Sequence, residues 1–100
     1  MSNHKISIYR VWDICQFIYL TPYSGEDIAL HIKVKPTVCN TRKLMDRFAI
    51  VLRKADIPLN WTWEEPPRKG QIGTGRKLFW IDSPYWRDKI EPLYGDVLVP

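Results

Sequence analysis

The chain has 100 residues, enough for one domain with a modest core, and 45% of them are hydrophobic, which excludes a disordered composition. The formal net charge is only +4, but segment 33–77 carries eleven basic and four acidic residues, a local charge of +7. A basic middle between slightly acidic ends favours a polyanion-binding surface, although lysines placed for solubility give the same pattern. We therefore predict a single domain over 1–100 with a basic central surface.

Apolar residues at helical spacing predict a first helix over 7–20. The residues that share this spacing are Ile8, Val11, Trp12, Cys15, Ile18 and Tyr19. A strand is the alternative, because segments 6–9 and 17–19 are rich in β-forming residues. Arg10 and Asp13 interrupt the apolar run, which is therefore too short and too charged for a signal peptide or a membrane span. The predicted location is the cytoplasm, with no membrane partner.

Two further helices are predicted after the break at Pro22, a short one over 27–32 and a longer one over 41–54. Ser24 with an acidic residue three positions on is typical of a helix start, and Asn40 or Thr41 is the predicted cap of the longer helix. The longer helix has an inward apolar stripe of Leu44, Met45, Phe48, Val51, Leu52 and Ala55. Leu44 lies ten residues after Val34, which is more than a tight helix-turn-helix prefers, and Lys33 stands where such a turn usually has glycine. Either the turn is long or the longer helix begins a turn earlier than usual.

The C-terminal half predicts a β-hairpin followed by a fourth helix. Strands are expected at 60–63 and 77–81, joined by a basic, glycine-containing loop. Ser83 and Pro84 predict a helix that runs to Ile90 and is ended by Pro92 and Gly95. Together these elements predict an α+β fold, a winged helix-turn-helix with a three-helix core, a β-hairpin wing and a C-terminal helix.

In this fold, one helix face packs on the core while the other offers donors to bases and phosphates. We expect helix 41–54 to enter the major groove and wing 64–77 to contact the DNA backbone or the minor groove. A charged outer face on an amphipathic helix is also commonly just solvated, so the prediction rests on helix order, basic face and basic wing together. The predicted DNA-binding residues are Asn40, Thr41, Arg42, Lys43, Arg47, Arg68, Lys69, Thr74, Arg76 and Lys77.

Other chemistry has little support in the sequence. The chain has two histidines, no nucleophile motif and no cluster at metal-ligand spacing, so we predict no enzyme activity, no cofactor and no metal. Cys15 and Cys39 are predicted to be buried, reduced thiols. Trp61, Trp63 and Trp80 are expected to pack within the hairpin rather than to form a base-stacking platform.

Three short motifs between positions 8 and 85 resemble a known family. They are Ile8-Tyr9-Arg10-Val11-Trp12, Asp27-Ile28-Ala29-Leu30-His31-Ile32, and Gly73-Thr74-Gly75-Arg76-Lys77-Leu78 leading into Ile81-Asp82, with the aromatic Tyr85 following. They resemble the CaiF/GrlA-type enterobacterial winged-helix transcription activators, although the usual Gly-Arg-Gly of the loop is here Gly-Thr-Gly. The resemblance implies binding to promoter DNA, regulation of some members by a protein partner, and a DNA-facing set of Arg42, Lys43, Arg47 and Arg76.

The predicted function is a sequence-specific transcriptional regulator that binds double-stranded DNA and acts as a homodimer or with a regulatory protein. The alternative is a small phage- or plasmid-encoded protein that binds a host protein through an aromatic-rich surface. Five tryptophans and five tyrosines suit the alternative, because large aromatic side chains dominate binding energies at protein interfaces. An exposed patch containing Trp61, Trp63 or Trp86 would favour it. A small enzyme has the least support.

Overall fold

The computed structural model describes residues 6–65, 69 and 76–98. Within them the protein is α+β, with four α-helices and a small three-stranded antiparallel sheet, an arrangement compatible with a winged helix. The elements in chain order are α1 (Ile8–Ile18), β1 (Tyr23–Ser24), α2 (Gly25–His31), α3 (Val38–Lys54), β2 (Asn60–Glu65), β3 (Arg76–Trp80), α4 (Trp86–Ile90) and a 3-10 helix (Glu91–Leu98). No helix in this described part has the length and apolar composition needed to cross a membrane.

A side-chain hydroxyl caps each of the first three helices. The hydroxyls of Ser7, Ser24 and Thr37 each accept a hydrogen bond from the backbone N–H three residues later, at 3.1–3.2 Å. Each bond satisfies one of the amides that the start of a helix leaves without an intrahelical partner. The predicted helix α1 is confirmed over its strand alternative, and α2 begins two residues before the predicted start.

The start of α3 corrects the sequence prediction. The helix begins at Val38 with Thr37 as its cap, so neither Asn40 nor Thr41 is the cap. The connection from α2 is therefore only residues 32–37. Lys33 adopts a left-handed conformation with φ of 62°, the conformation that usually favours glycine at a helix end. Of the two alternatives for this connection, the earlier start of the third helix is confirmed, and lysine takes the position at which glycine is usual.

The sheet has the strand order β1-β3-β2, and both pairings are antiparallel. The predicted hairpin is confirmed, with strands slightly shifted from their predicted limits. A register shift between Trp63 and Glu65 interrupts the regular ladder of β2 and β3. Strand β1 was not predicted from sequence: its two residues, Tyr23 and Ser24, pair with Phe79 and Leu78 of β3.

The core lies between α1, α2 and α3 and continues to the end of β3 and to α4. On α3 the predicted inward stripe is buried, except that Val51 is half-buried. Burial of each large apolar side chain contributes about 1.5–3 kcal/mol. The most completely buried large side chains are Ile8, Val11, Ile14, Ile18, Ile28, Phe48, Leu52, Ile81 and Ile90.

An aromatic stack connects α1, β1 and α2. The ring of Phe17 stacks on both Tyr23 and His31, with centroid distances of 3.9 Å to each. Nε2 of His31 also lies 2.7 Å from a carboxylate oxygen of Asp13, one turn before Phe17 on α1. These contacts hold the strand and the short second helix against the first helix.

The C-terminal region departs from its prediction. Helix α4 begins at Trp86 rather than at Ser83-Pro84, and its N-cap residue Tyr85 makes no side-chain capping bond. The end of α4 at Ile90 is as predicted. Helical structure nevertheless continues past Pro92, which falls in the first turn of the 3-10 helix, where its missing N–H has no partner to lose. The hydroxyl of Tyr94 donates a hydrogen bond to the carbonyl of Ile6 at 3.0 Å, which ties this segment to the start of α1.

Candidate nucleic-acid interface

Helix α3 presents a basic outer face. Its 17 residues span about 26 Å, and its inward side is fixed by the buried stripe. Arg42 and Lys43 are exposed near its N-terminal end, and Arg47 is half-buried one turn further along. Asp46 is exposed among them and reduces the local positive charge. The face also exposes Ile50, so it offers both donors and an apolar contact.

Two predicted binding residues at the start of α3 have structural contacts. The side-chain amide of Asn40 donates to the carbonyl of Lys35 at 3.1 Å, which braces the connection between α2 and α3. The hydroxyl of Thr41 is buried and has no hydrogen-bond partner among the described residues. Its methyl group faces Gly25 of α2. Thr41 is therefore a packing residue in this structure, and Asn40 supports the turn.

A groove of about 350 Å³ runs between the start of α1 and α3. Three cationic side chains line it: Arg10 comes from α1, and Lys43 and Arg47 come from α3. Two of the predicted cations therefore line the same groove as Arg10, which was not among the predicted binding residues. The other lining residues are Ile6, Ser7, Val34, Asn40 and Leu44.

Arg10 was missed because it lies in the slightly acidic N-terminal third of the chain. The available signal was local: Arg10 falls on the exposed side of the amphipathic helix α1, between the inward residues Ile8 and Val11. The pattern within α1 defines that side, but only the packing of α1 against α3 brings Arg10 near Lys43.

The cations of the hairpin contact other hairpin residues. Nη1 of Arg76 lies 3.3 Å from a carboxylate oxygen of Glu64 on the neighbouring strand, and both side chains are about half exposed. An exposed pair of this kind contributes little to stability. Lys69 is exposed. The predicted residues Arg68 and Thr74 lie outside the described residues.

Lys77 lies over two exposed tryptophans. Its Nζ is 4.3 Å from the ring centroid of Trp61 and 5.3 Å from that of Trp63, within the range of a cation–π contact. The two rings meet edge to face, and they remain 48% and 40% exposed. The expectation that they pack inside the hairpin is therefore only partly right, because they contact each other and still face solvent. Trp86, by contrast, is buried.

In the part of the chain that the structure describes, no three His, Cys, Asp or Glu side chains are grouped so that they could hold a metal ion. Comparison of the chain with protein-family models, with curated proteins and with solved structures finds no match in any of the three. The outer face of α3, the groove beside it and the exposed hairpin face are thus the structural features from which a function can be inferred.

Proposed function

We propose that the protein is a sequence-specific transcriptional regulator that binds double-stranded DNA as a winged helix-turn-helix. Helix α3 would enter the major groove, and the β2–β3 hairpin would contact the backbone or the minor groove. The observation that carries this proposal is the basic outer face of α3, where Arg42 and Lys43 are exposed on a long helix whose opposite side is anchored in the core.

The order of elements supports the same reading. The three helices are followed by a hairpin, and β1, between α1 and α2, pairs with the second hairpin strand. The shortened connection 32–37 also removes the long turn that made the predicted motif irregular. This order is compatible with a winged helix, in which the third helix and the hairpin would face the DNA.

Charge supports DNA as the partner. Segment 33–77 has a local charge of +7, and neutralisation of phosphates by lysine and arginine supplies most of the sequence-independent affinity for DNA. Arginine on α3 would also read guanine through a bidentate contact, worth about 1–3 kcal/mol of discrimination. The resemblance to CaiF/GrlA-type activators favours promoter DNA and regulation by a protein partner. The proposal also includes a cytoplasmic location and action as a homodimer or with that partner.

The test is a fluorescence-anisotropy titration with DNA fragments from the neighbourhood of the gene, at two salt concentrations. We expect Arg42→Ala/Lys43→Ala to weaken binding by about tenfold or more and to reduce the salt slope by about two. The matched control is Arg53→Ala/Lys54→Ala, which removes the same charge from the exposed C-terminal end of the same helix. Absence of binding at low salt, or an equal loss in the control, would contradict the proposal.

One observation favours a second candidate function, the binding of a host protein through the hairpin. Trp61 and Trp63 are exposed side by side, and such aromatic side chains are enriched at interaction hot spots. Under this reading, Trp61→Ala/Trp63→Ala would abolish capture of a defined partner while Arg42→Ala/Lys43→Ala would not. Under the DNA reading, the α3 variant has the larger effect on DNA affinity.

A further inference from the structure

The groove between α1 and α3 has the features of a site for an oxyanion. Arg10, Lys43 and Arg47 bring three positive side chains to it from two helices, and no carboxylate is among the described residues that line it. The nearest acidic residue along α1 is Asp13, one turn after Arg10, and its carboxylate is engaged by His31 at 2.7 Å. On α3, Asp46 lies next to Arg47 and is exposed, but it is not among the lining residues. The charged residues of the lining itself are therefore all basic.

The wall of the groove includes apolar residues that belong to the core or pack against it. Ile6 and Leu44 are buried residues of the core, and Val34 is half-buried beside them. The hydroxyl of Ser7 caps α1, and the amide of Asn40 is held by the carbonyl of Lys35. The backbone on both sides is therefore fixed by local hydrogen bonds.

We propose that this groove is a phosphate-binding site in which Arg10 of α1 acts together with Lys43 and Arg47 of α3. Arginine and lysine are the side chains that bind phosphate oxygens most strongly, through charge-assisted hydrogen bonds. The volume of about 350 Å³ lies at the lower end of the range for small-molecule sites, so the groove has room for more than a bare phosphate group.

Two sources present this chemistry: a phosphodiester of the DNA backbone and the phosphate of a free small molecule. Because Lys43 and Arg47 also belong to the proposed DNA-binding surface, the inference rests in part on the proposed function. In the first case, Arg10 extends the DNA footprint from α3 to α1. In the second case, a phosphorylated compound occupies the same cations and competes with DNA.

The experiment compares the full wild-type chain with Arg10→Gln and with Arg53→Gln, a control that removes one exposed positive charge outside the groove. The first arm titrates inorganic phosphate without DNA and follows the backbone amide NMR signals of Ser7, Asn40 and Leu44, with chloride at equal ionic strength as reference. We expect a saturable response to phosphate, weakened about tenfold in Arg10→Gln and unchanged in Arg53→Gln.

The second arm measures the affinity for a DNA duplex as a function of salt. If the DNA backbone is the source, Arg10→Gln weakens binding and reduces the salt slope by about one relative to wild type. If a free phosphate compound is the source, the slope is unchanged, but inorganic phosphate displaces DNA more effectively than chloride does, and only when Arg10 is present. Either result supports the site and identifies its ligand.

The inference is overturned if phosphate and chloride give the same unsaturable response, or if Arg10→Gln behaves like Arg53→Gln in both arms. Its failure can be separated from that of the proposed function, since the first arm contains no DNA. A wild-type chain that binds DNA but shows no Arg10-dependent phosphate response refutes the groove site alone. A chain that binds phosphate through Arg10 but never binds DNA refutes the proposed function alone.

Discussion

Cys15 and Cys39 occupy opposite environments although both lie in helices. Cys15 is fully buried in α1, and burial raises the pKa of its thiol to about 12. Cys39 is exposed in the first turn of α3, so the prediction that both thiols are buried is wrong for Cys39. The prediction for Cys39 relied on its apolar neighbours in the sequence. One of them, Val38, is itself 83% exposed, so this end of α3 is not packed against the core.

This difference gives a direct probe of the face of α3. We expect iodoacetamide to alkylate Cys39 in the folded protein and to leave Cys15 unmodified, because the thiolate is the reactive form and Cys15 is both buried and protonated. Cys39 lies one turn before Lys43 on the same side of the helix, so saturating DNA should slow its alkylation by about tenfold. Mass spectrometry of the labelled peptides measures both rates.

Cys15 serves as the internal control, since its labelling should require unfolding with or without DNA. An unchanged rate at Cys39 under conditions in which DNA is fully bound would show that this side of α3 is not covered. That result would argue against a recognition role for the helix, while any DNA binding would have to be assigned to another surface.

At the scale of elements, α2 and α3 are in close contact at Gly25. A β-carbon built at this position would lie 2.8 Å from the methyl carbon of Thr41, closer than real side chains allow. Glycine therefore permits the close crossing of the two helices, and it fixes how α3 sits against the rest of the domain. Helix propensity alone would favour alanine at a helical position, by about 0.5–1 kcal/mol.

Gly25→Ala should consequently lower the free energy of unfolding, by about 1–3 kcal/mol, because the added methyl group overpacks the contact. Thr41→Ser removes the opposing methyl group while keeping the hydroxyl, so Gly25→Ala/Thr41→Ser should recover most of the loss. Urea unfolding of the two single variants and the double variant measures the coupling. A more stable Gly25→Ala variant, or additive effects in the double variant, would show that the contact between Gly25 and Thr41 has room for the added methyl group.

Elements with a local pattern were predictable, and those fixed by distant partners were not. The stripe of α3 and the hairpin follow from the spacing of apolar residues, and both are observed. Strand β1 has only two residues, too few for a periodic signal, and it exists because Phe79 and Leu78 of β3 lie beside it. The predicted start of α4 at Ser83 was wrong. The helix begins instead at Trp86, which is buried, while Tyr85 before it is exposed.

The candidate site was likewise predictable in part. Exposure of Arg42 and Lys43 follows from the amphipathic pattern of α3, but the burial of the Thr41 hydroxyl depends on α2. The placement of Arg10 and Lys43 along one groove depends on how α1 and α3 are arranged in the fold. Sequence patterns therefore identified which face of one helix is charged, whereas contacts between elements decided which charges come together.

At the scale of the whole molecule, Tyr94 joins two parts of the chain that are 88 positions apart. Its hydroxyl donates to the carbonyl of Ile6, and burial raises the pKa of the phenol. We expect Tyr94→Phe to lower the free energy of unfolding by about 1 kcal/mol, since it removes one hydrogen bond and leaves the carbonyl of Ile6 without this donor. Chemical denaturation monitored by circular dichroism measures the loss.

The matched control is Tyr85→Phe, because Tyr85 is 70% exposed and the same hydroxyl is removed there. Its stability should stay within about 0.5 kcal/mol of wild type. Equal stability of the Tyr94→Phe and Tyr85→Phe variants would mean that the 3-10 helix does not depend on this bond for its attachment to the start of α1.

The register shift in β2 has a consequence for self-association. Strand β2 forms one edge of the sheet, and its tryptophans and central threonine are residues with high β-propensity. Such an edge is a template on which another copy can add a strand, the first step towards aggregates. The bulge between Trp63 and Glu65 confines the regular pairing edge to residues 60–63, and the charged Glu64 stands in the bulge itself. We therefore expect the irregular ladder to shorten the edge on which a second chain could pair with this aromatic strand.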